Sequence, residues 1–157
     1  MWKPLLLLAS LAACGGDVDA EGTYSINVTN RENGCNFENW NIGDVATNIE
    51  VVINQEGDDV NADVMGGTRN VLDFILGSHV FNGKVDGNEL DLAIIGTRPF
   101  NMGNCTLTVD SDLLAELDGD VLTGRIEYHY HGNDNSDCAP YDGCTTYQDM
   151  NGTRPPQ

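Results

Sequence analysis

Two histidines and the acidic loop that follows them come closest, in type and spacing, to a chemical site in this 157-residue chain. His129 and His131 stand two apart in an alternating segment, so a strand would present both imidazoles on one face. Asp134 and Asp137 lie in the oxygen-rich run 133–137, whose composition suits Ca²⁺. The run lacks the glycine and the distal glutamate of an EF-hand, so we expect at most a weak calcium or zinc site and no other cofactor.

A solvated outer face is the favoured interpretation of the same histidines. The strand that carries them has an alternating apolar set that predicts its inward face, namely Leu122, Ile126, Tyr128 and Tyr130. His129 and His131 then point outward, beside Arg125 and Glu127. Under this interpretation, the imidazoles meet water.

Composition and motifs favour binding over catalysis. The sequence has no G-x-S-x-G elbow, H-E-x-x-H pair, P-loop or G-x-G-x-x-G turn. Its 25 acidic residues against 7 basic ones give a net charge of −18, which excludes nucleic acid as a partner because no basic patch can form. An enzyme therefore ranks below a binding module and below an interaction protein.

The first residues predict export and lipidation. A short basic start at Lys3 is followed by an apolar run too short to span a bilayer, which is typical of a secretory signal. The run 11–14, Leu-Ala-Ala-Cys, resembles the lipobox of bacterial lipoproteins, which implies acylation of Cys14 and a lipid bilayer as partner. Gly15 after the cysteine implies the outer membrane by the same resemblance. The alternative is an ordinary signal peptide followed by a chance cysteine.

The predicted organisation is one domain. We expect a signal peptide at 1–13, a lipidated tether at 14–21, a barrel domain at 22–150 and a tail at 151–157. Four cysteines remain in this exported domain: Cys35, Cys105, Cys138 and Cys144. An even count predicts two disulfides. The favoured pairing joins Cys138 to Cys144, which are close in sequence, and Cys35 to Cys105; one pair of buried thiols is the alternative.

Apolar residues alternate with polar ones along most of the chain, which predicts an all-β fold. Gly- and Asp-containing turns predict three hairpins, at 49–64, 81–94 and 113–126. Residues 71–85 are interpreted as one long strand with an interruption at Gly77 and Ser78, and its apolar segment 71–76 as a buried strand rather than a lid. In a meander, the longer connections then share one end, and the tight turns share the other end with the N-terminus. The alternative is a separate hairpin at Gly77 and Ser78, which would invert the direction of the strands that follow.

This outline predicts a single antiparallel up-and-down barrel of about eight strands, with a β-sandwich as the alternative. The glycine-marked segments 22–24, 81–87 and 117–124 resemble the lipocalin-like barrels of bacteria. That resemblance implies a carrier of a small apolar ligand; the other hypothesis is a barrel filled by its own side chains that meets another envelope protein. The filled barrel is slightly favoured. The candidate ligand-binding residues are Tyr24, Trp40, His79, Phe81, Tyr128 and Tyr130.

Overall fold

A closed antiparallel barrel makes up most of the computed structural model, which describes residues 18–156. Within these residues the sheet has nine strands: β1 (Gly22–Asn33), β2 (Val45–Glu56), β3 (Asp59–Val64), β4 (Val80–Asp86), β5 (Glu89–Ile94), β6 (Phe100–Met102), β7 (Cys105–Asp118), β8 (Val121–Gly132) and β9 (Thr145–Thr153). Helix α1 (Gly66–Ile75) and a short 3-10 turn (Ser136–Cys138) complete the secondary structure.

Eight of these strands form the barrel. They follow one another as neighbours from β1 to β5 and then through β7, β8 and β9, and the β5–β7 and β1–β9 pairings complete the ring. The short strand β6 pairs with β7 outside the ring. The predicted up-and-down barrel is confirmed, and the sandwich alternative is wrong.

The barrel wall follows from the alternation of the sequence. Strand β7 buries every second residue from Cys105 to Leu117 and directs the residues between them outward. Strand β8 buries Leu122, Ile126 and Tyr130 on its inward face, so His129 and His131 lie on the outer face as expected. At Gly83 the neighbouring strand comes so close that a side chain would collide with the Asp91 carbonyl, and only glycine fits there.

The two ends of the barrel differ in their connections. All three predicted hairpins are present, as β2–β3, β4–β5 and β7–β8, and each turns through a glycine with positive φ: Gly57, Gly87 and Gly119. These turns lie at one end, which we call the closed end. The connections β1–β2, β3–β4, β5–β7 and β8–β9 lie at the other, the open end. The predicted segregation of long and short connections is confirmed.

The expectation of a strand across 71–85 is wrong. Residues 66–75 form helix α1, and strand β4 begins only at Val80. Leu72, Ile75 and Leu76 follow a helical spacing and pack toward the barrel, whereas Val71 and Phe74 are exposed. The helix starts after Met65 without a side-chain cap, and two glycines occupy its first turn, so the usual start signals are missing. Because α1 fills one connection, the strand directions remain as predicted.

Two disulfides form, as predicted, but with different partners. Cys35 bonds Cys144, and Cys105 bonds Cys138, so the expected pairs Cys138–Cys144 and Cys35–Cys105 are wrong. The reason lies in the closure of the barrel. Cys35 and Cys144 flank the neighbouring strands β1 and β9, while Cys105 begins β7 and Cys138 lies in the connection that follows its neighbour β8. The cysteines pair according to which strands are neighbours in the barrel, not according to their proximity in the sequence.

The closed end is sealed by both ends of the described chain. The Val18 amide donates to the Gly87 carbonyl, and the Ala20 amide donates to Gln55 Oε1, so these residues pack against the turns although they were assigned to the tether. Arg154 donates to the Glu21 carbonyl and pairs with Asp120. Strand β9 reaches Thr153, beyond the expected domain end at 150. Residues 1–17, with Cys14 and the signal, lie outside the described residues. No helix within 18–156 has the length and apolar character needed to cross a bilayer.

Candidate ligand-binding cavity

The barrel interior contains a cavity of about 310 Å³. It therefore differs from the favoured expectation of a barrel filled by its own side chains. The lining is almost wholly aliphatic and aromatic, and it draws on all eight barrel strands, on helix α1 and on the β1–β2 connection. A volume of this size is at the lower end of the range for small-molecule pockets.

Four of the six candidate ligand-binding residues line this cavity. They are Trp40, Phe81, Tyr128 and Tyr130. Tyr24 is buried at the closed end, where its hydroxyl donates to the Ala20 carbonyl and Arg154 lies over its ring. His79 packs beside helix α1, away from the lining.

The β1–β2 connection brings Trp40 to the mouth of the cavity, by which we mean its part at the open end of the barrel. Asn33 holds this connection through both ends of its amide: Nδ2 donates to the Phe37 carbonyl, and Oδ1 accepts from the Phe37 amide. Trp40 Nε1 donates to the Arg31 carbonyl, and the indole meets the Tyr128 ring edge-on at 6.2 Å. The indole therefore has its polar atom satisfied and offers an apolar surface to the cavity.

A second aromatic contact fixes the same connection to the barrel. Phe37 lies edge-on to Tyr130 with ring centroids 4.9 Å apart, and it stacks on Tyr141 at 5.7 Å. The Cys35–Cys144 bond is close by in the chain and ties the connection to β9. This side of the mouth is thus held by covalent and aromatic contacts.

The polar groups of the lining are few and mostly engaged. The Tyr128 hydroxyl donates to Gln148 Oε1 at 2.9 Å, and Gln148 Nε2 donates to Asn30 Oδ1 at 2.8 Å. Tyr130 and Thr146 share a longer hydroxyl contact of 3.4 Å. Burial raises the pKa of the Tyr128 and Tyr130 phenols above the ordinary tyrosine value, so both stay neutral at physiological pH.

A bulge in β2 shapes the wall near the mouth. The register shifts between the β1 residues Ile26 and Val28, where Asn48 adopts a positive φ of 57°. Ile49 lies opposite Ile26, and Ala46 lies opposite Val28, so both line the cavity although they are three residues apart. The extra residue therefore turns Ala46 inward, a common effect of bulges.

The cavity reaches the surface beside helix α1. Strand β3 pairs with β2 only from Val51 onward, so residues 45–50 have no strand partner on that side and face the helix. Ala46 and Val71 line the cavity and are exposed as well. We call this gap between residues 45–50 and helix α1 the side opening.

Helix α1 is held mainly through its C-terminal half. His79 Nδ1 lies 2.6 Å from Asp73 Oδ1, and the Thr97 amide donates to the Leu76 carbonyl. Arg98 lies over the Phe74 ring and donates to the Asp73 carbonyl. The first turn, at Gly66 and Gly67, is exposed. The helix is thus fixed at one end and begins in glycine at the other.

The predicted metal-site residues do not converge. His129 Nε2 contacts Asp112 Oδ2 at 3.0 Å, whereas His131 Nε2 contacts Asp110 Oδ2 at 3.0 Å. Asp137 accepts from Asn104 Nδ2, and Asp134 belongs to the same outer loop. Across residues 18–156, no three His, Cys, Asp or Glu side chains are placed to hold one ion.

Sequence reasoning missed several lining residues. Gln148 carries no motif, and Leu72 and Ile75 were assigned to a strand. A helical spacing of 72, 75 and 76 was the available signal for the helix.

Comparison of the chain with protein-family models, with curated proteins and with solved structures finds no match.

Proposed function

We propose that this protein is a lipid-anchored lipoprotein of the bacterial outer membrane whose barrel binds a small apolar ligand. The observation that carries the proposal is the apolar cavity of about 310 Å³ with an opening to the surface. A cavity that remains empty costs stability, since its lining forgoes van der Waals contacts. The binding of a ligand restores those contacts.

The lining supports binding rather than chemistry. Among the described residues that form it, none is a His, Cys, Asp, Glu, Lys or Arg. General acid and base catalysis needs such a group within hydrogen-bond distance of the reacting atom. The phenols of Tyr128 and Tyr130 stay protonated and serve as neutral hydrogen-bonding groups.

The proposed anchor and the position of the cavity are consistent with one orientation of the barrel relative to the membrane. Val18 packs at the closed end, so acyl chains on Cys14 would hold that end near the membrane. The open end then faces away from the bilayer. A ligand would reach the cavity through the side opening, past the exposed first turn of α1.

Filling the cavity tests the ligand proposal. Ala62 lines the cavity, whereas Ala93 lies on the outer wall. Native purification followed by organic extraction and mass spectrometry should recover a bound apolar molecule from the wild type and from Ala93→Phe. Ala62→Phe should lose it while keeping the fold, as measured by circular dichroism. Recovery of no molecule from the wild type, together with no binding of added apolar compounds, would contradict the proposal.

Replacement of Cys14 tests the anchor. Cys14→Ser removes the acylated sulfur and should move the protein from the membrane fraction to the soluble periplasmic fraction. Ser10→Ala is a control that leaves the cysteine in place. Retention of the Cys14→Ser protein in membranes would refute lipidation at this residue.

A second candidate function is docking on another envelope protein. Seven large hydrophobic side chains are exposed within the described residues, and five of them lie at the open end: Ile42, Val45, Val71, Phe74 and Ile95. Contiguous exposed apolar patches often mark interaction surfaces, and these five side chains share one end of the barrel. Under this function, Ile95→Glu should remove a cross-link to the partner in intact cells, and Leu114→Glu, on the outer wall, should not.

A further inference from the structure

We propose that the cavity selects an uncharged ligand with on the order of a dozen carbon atoms, which excludes fatty-acid anions of the same length. This inference rests on the proposed function and adds the chemical class of the ligand. Three observations support it: the size of the cavity, the hydrogen bonding of its polar groups and the engagement of all six described Lys and Arg side chains in contacts within the protein.

Size limits the ligand. An engineered apolar cavity of roughly 150 Å³ holds one benzene molecule. The present cavity, at about 310 Å³, has twice that volume. It therefore has room for about twice as many carbon atoms, which corresponds to a medium-length chain or a pair of small rings.

The polar atoms of the lining offer little to an anion. The donors of Tyr128 and Trp40 are already used, so is one N–H of Gln148, and the Tyr130 hydroxyl contacts Thr146. The Thr68 hydroxyl and the second N–H of Gln148 are the other side-chain donors of the described lining. A buried carboxylate would need several donors or a cation to offset its lost hydration. The oxygen of the Tyr128 hydroxyl can still accept a hydrogen bond, and that suits an alcohol or a similar neutral group.

No cation in the described residues is left over for an anionic ligand. Five of the six basic side chains pair with aspartates, namely Arg31, Arg69, Lys84, Arg125 and Arg154. The sixth, Arg98, lies over Phe74 and donates to the Asp73 carbonyl. Hydrogen bonding from Lys84 lowers the pKa of Asp58, and hydrogen bonding from Arg31 lowers that of Asp149, as expected for committed pairs.

The net charge of the protein also disfavours an anionic ligand. With 25 acidic and 7 basic residues, the surface repels an approaching anion. A cation would be attracted to the surface, but the lining holds no carboxylate to pair with it inside. An ionic group of either sign therefore loses far more hydration free energy on entering than a neutral hydroxyl does.

The test uses three probes with the same ten-carbon chain: 1-decanol, decanoate at pH 8 and decyltrimethylammonium. Trp2→Phe leaves Trp40, which lines the cavity, as the only tryptophan of the full chain. With Cys14→Ser in the same chain, no acylation site remains. Titration of Trp40 fluorescence should show 1-decanol binding at least about tenfold more tightly than either ionic probe.

A matched pair of lysine variants tests the cause of this preference. Thr68 lines the cavity beside the side opening, and Thr47 is exposed and outside the lining. Thr68→Lys should tighten decanoate binding relative to 1-decanol, because it supplies the missing cation. Thr47→Lys adds the same charge and should leave the ratio unchanged. Circular dichroism checks that both variants fold.

The outcomes separate the two proposals. If decanoate or decyltrimethylammonium binds as tightly as 1-decanol, the cavity binds apolar ligands but does not select neutral ones, so this inference fails and the proposed function stands. If the ratio for Thr68→Lys equals that for Thr47→Lys, the lining does not cause the selection, and the inference also fails. If none of the three probes changes Trp40 fluorescence or thermal stability, the proposed function fails as well.

Discussion

At the residue scale, the tyrosines report most directly on the interior. Tyr24 supports the closed end, whereas Tyr128 and Tyr130 line the cavity. Burial raises the pKa of all three phenols, because the phenolate would lose hydration inside the barrel. All three tyrosines, at two places in the barrel, should therefore lose their protons at a higher pH in the folded protein than in the unfolded chain.

Stability should therefore decrease at alkaline pH. The unfolded chain releases tyrosine protons near pH 10, whereas the folded barrel retains them. Raised pKa values in the folded state stabilise it fully below about pH 10, and this contribution is lost as the pH rises further. Urea unfolding between about pH 9 and 11 should show a falling midpoint.

Tyr128→Phe gives the matched comparison. It removes one of the three groups, so the fall in the midpoint with pH should be shallower than in the wild type. At neutral pH the variant leaves Gln148 Oε1 without its 2.9 Å donor and should lose about 1 kcal/mol of unfolding free energy. A midpoint independent of pH in this range would contradict the argument.

At the element scale, the contrast between the barrel strands and helix α1 explains what the sequence could and could not predict. Strands with one buried face alternate regularly, as in residues 105–118, so they were predictable. Helix α1 has two glycines and no cap at its start, and its apolar run fits a strand equally well. Its contacts with the barrel decide between helix and strand.

The cavity and the disulfide pairs depend on distant partners. Phe81, Tyr128 and Tyr130 could be named because inward aromatics on strands are recognisable, and Trp40 because it is an aromatic residue in a long connection. The empty volume could not be predicted, since it depends on the register of β2, on its bulge and on the position of α1. The partners of Cys35 and Cys105 depend likewise on which strands become neighbours when the ring closes.

The end of helix α1 gives a prediction at this scale. Gly77 follows the helix with φ of +82°, and an added Cβ would lie 2.6 Å from Thr97 Oγ1. Gly119 has φ of +61° in a tight turn with open space around it. Gly119→Ala should cost about 1–2 kcal/mol of unfolding free energy through its backbone alone. Gly77→Ala should cost more; an equal loss in urea unfolding would contradict the role of this contact.

The two disulfides should contribute similar amounts. The Cys35–Cys144 bond closes a separation of 109 residues, and Cys105–Cys138 closes 33. Loop-closure entropy then gives about 5 and 4 kcal/mol at 25 °C, since the dependence on length is logarithmic. Paired serine variants compared by urea unfolding should differ by about 1 kcal/mol. Non-reducing peptide mapping checks the pairing, and recovery of Cys138 joined to Cys144 would refute it.

At the scale of the whole molecule, net charge dominates the response to solution conditions. A chain with a charge of −18 repels itself when folded, and salt screens that repulsion. The same salt weakens the exposed ion pairs, but these are few and individually weak. We therefore expect salt to stabilise the barrel.

Melting temperatures in salt also test the predicted metal site. Raising NaCl from about 0.01 to 0.5 M should raise the melting temperature. CaCl₂ or ZnCl₂ in the millimolar range, compared with NaCl at equal ionic strength, should add no more than screening if His129, His131, Asp134 and Asp137 hold no ion. A larger increase that His131→Gln abolishes would establish the site.

The adjacency of β1 and β9 has a consequence for biogenesis. Ser25 pairs with Thr153. The edge of β1 that pairs with β9 therefore stays unpaired until almost the whole chain is present. In the proposed export, the N-terminal strands would therefore emerge with an unpaired edge and an incomplete apolar interior. Both features promote aggregation. Under the proposed export, folding of this protein should depend on periplasmic chaperones that bind unpaired strands until the last one has been translocated.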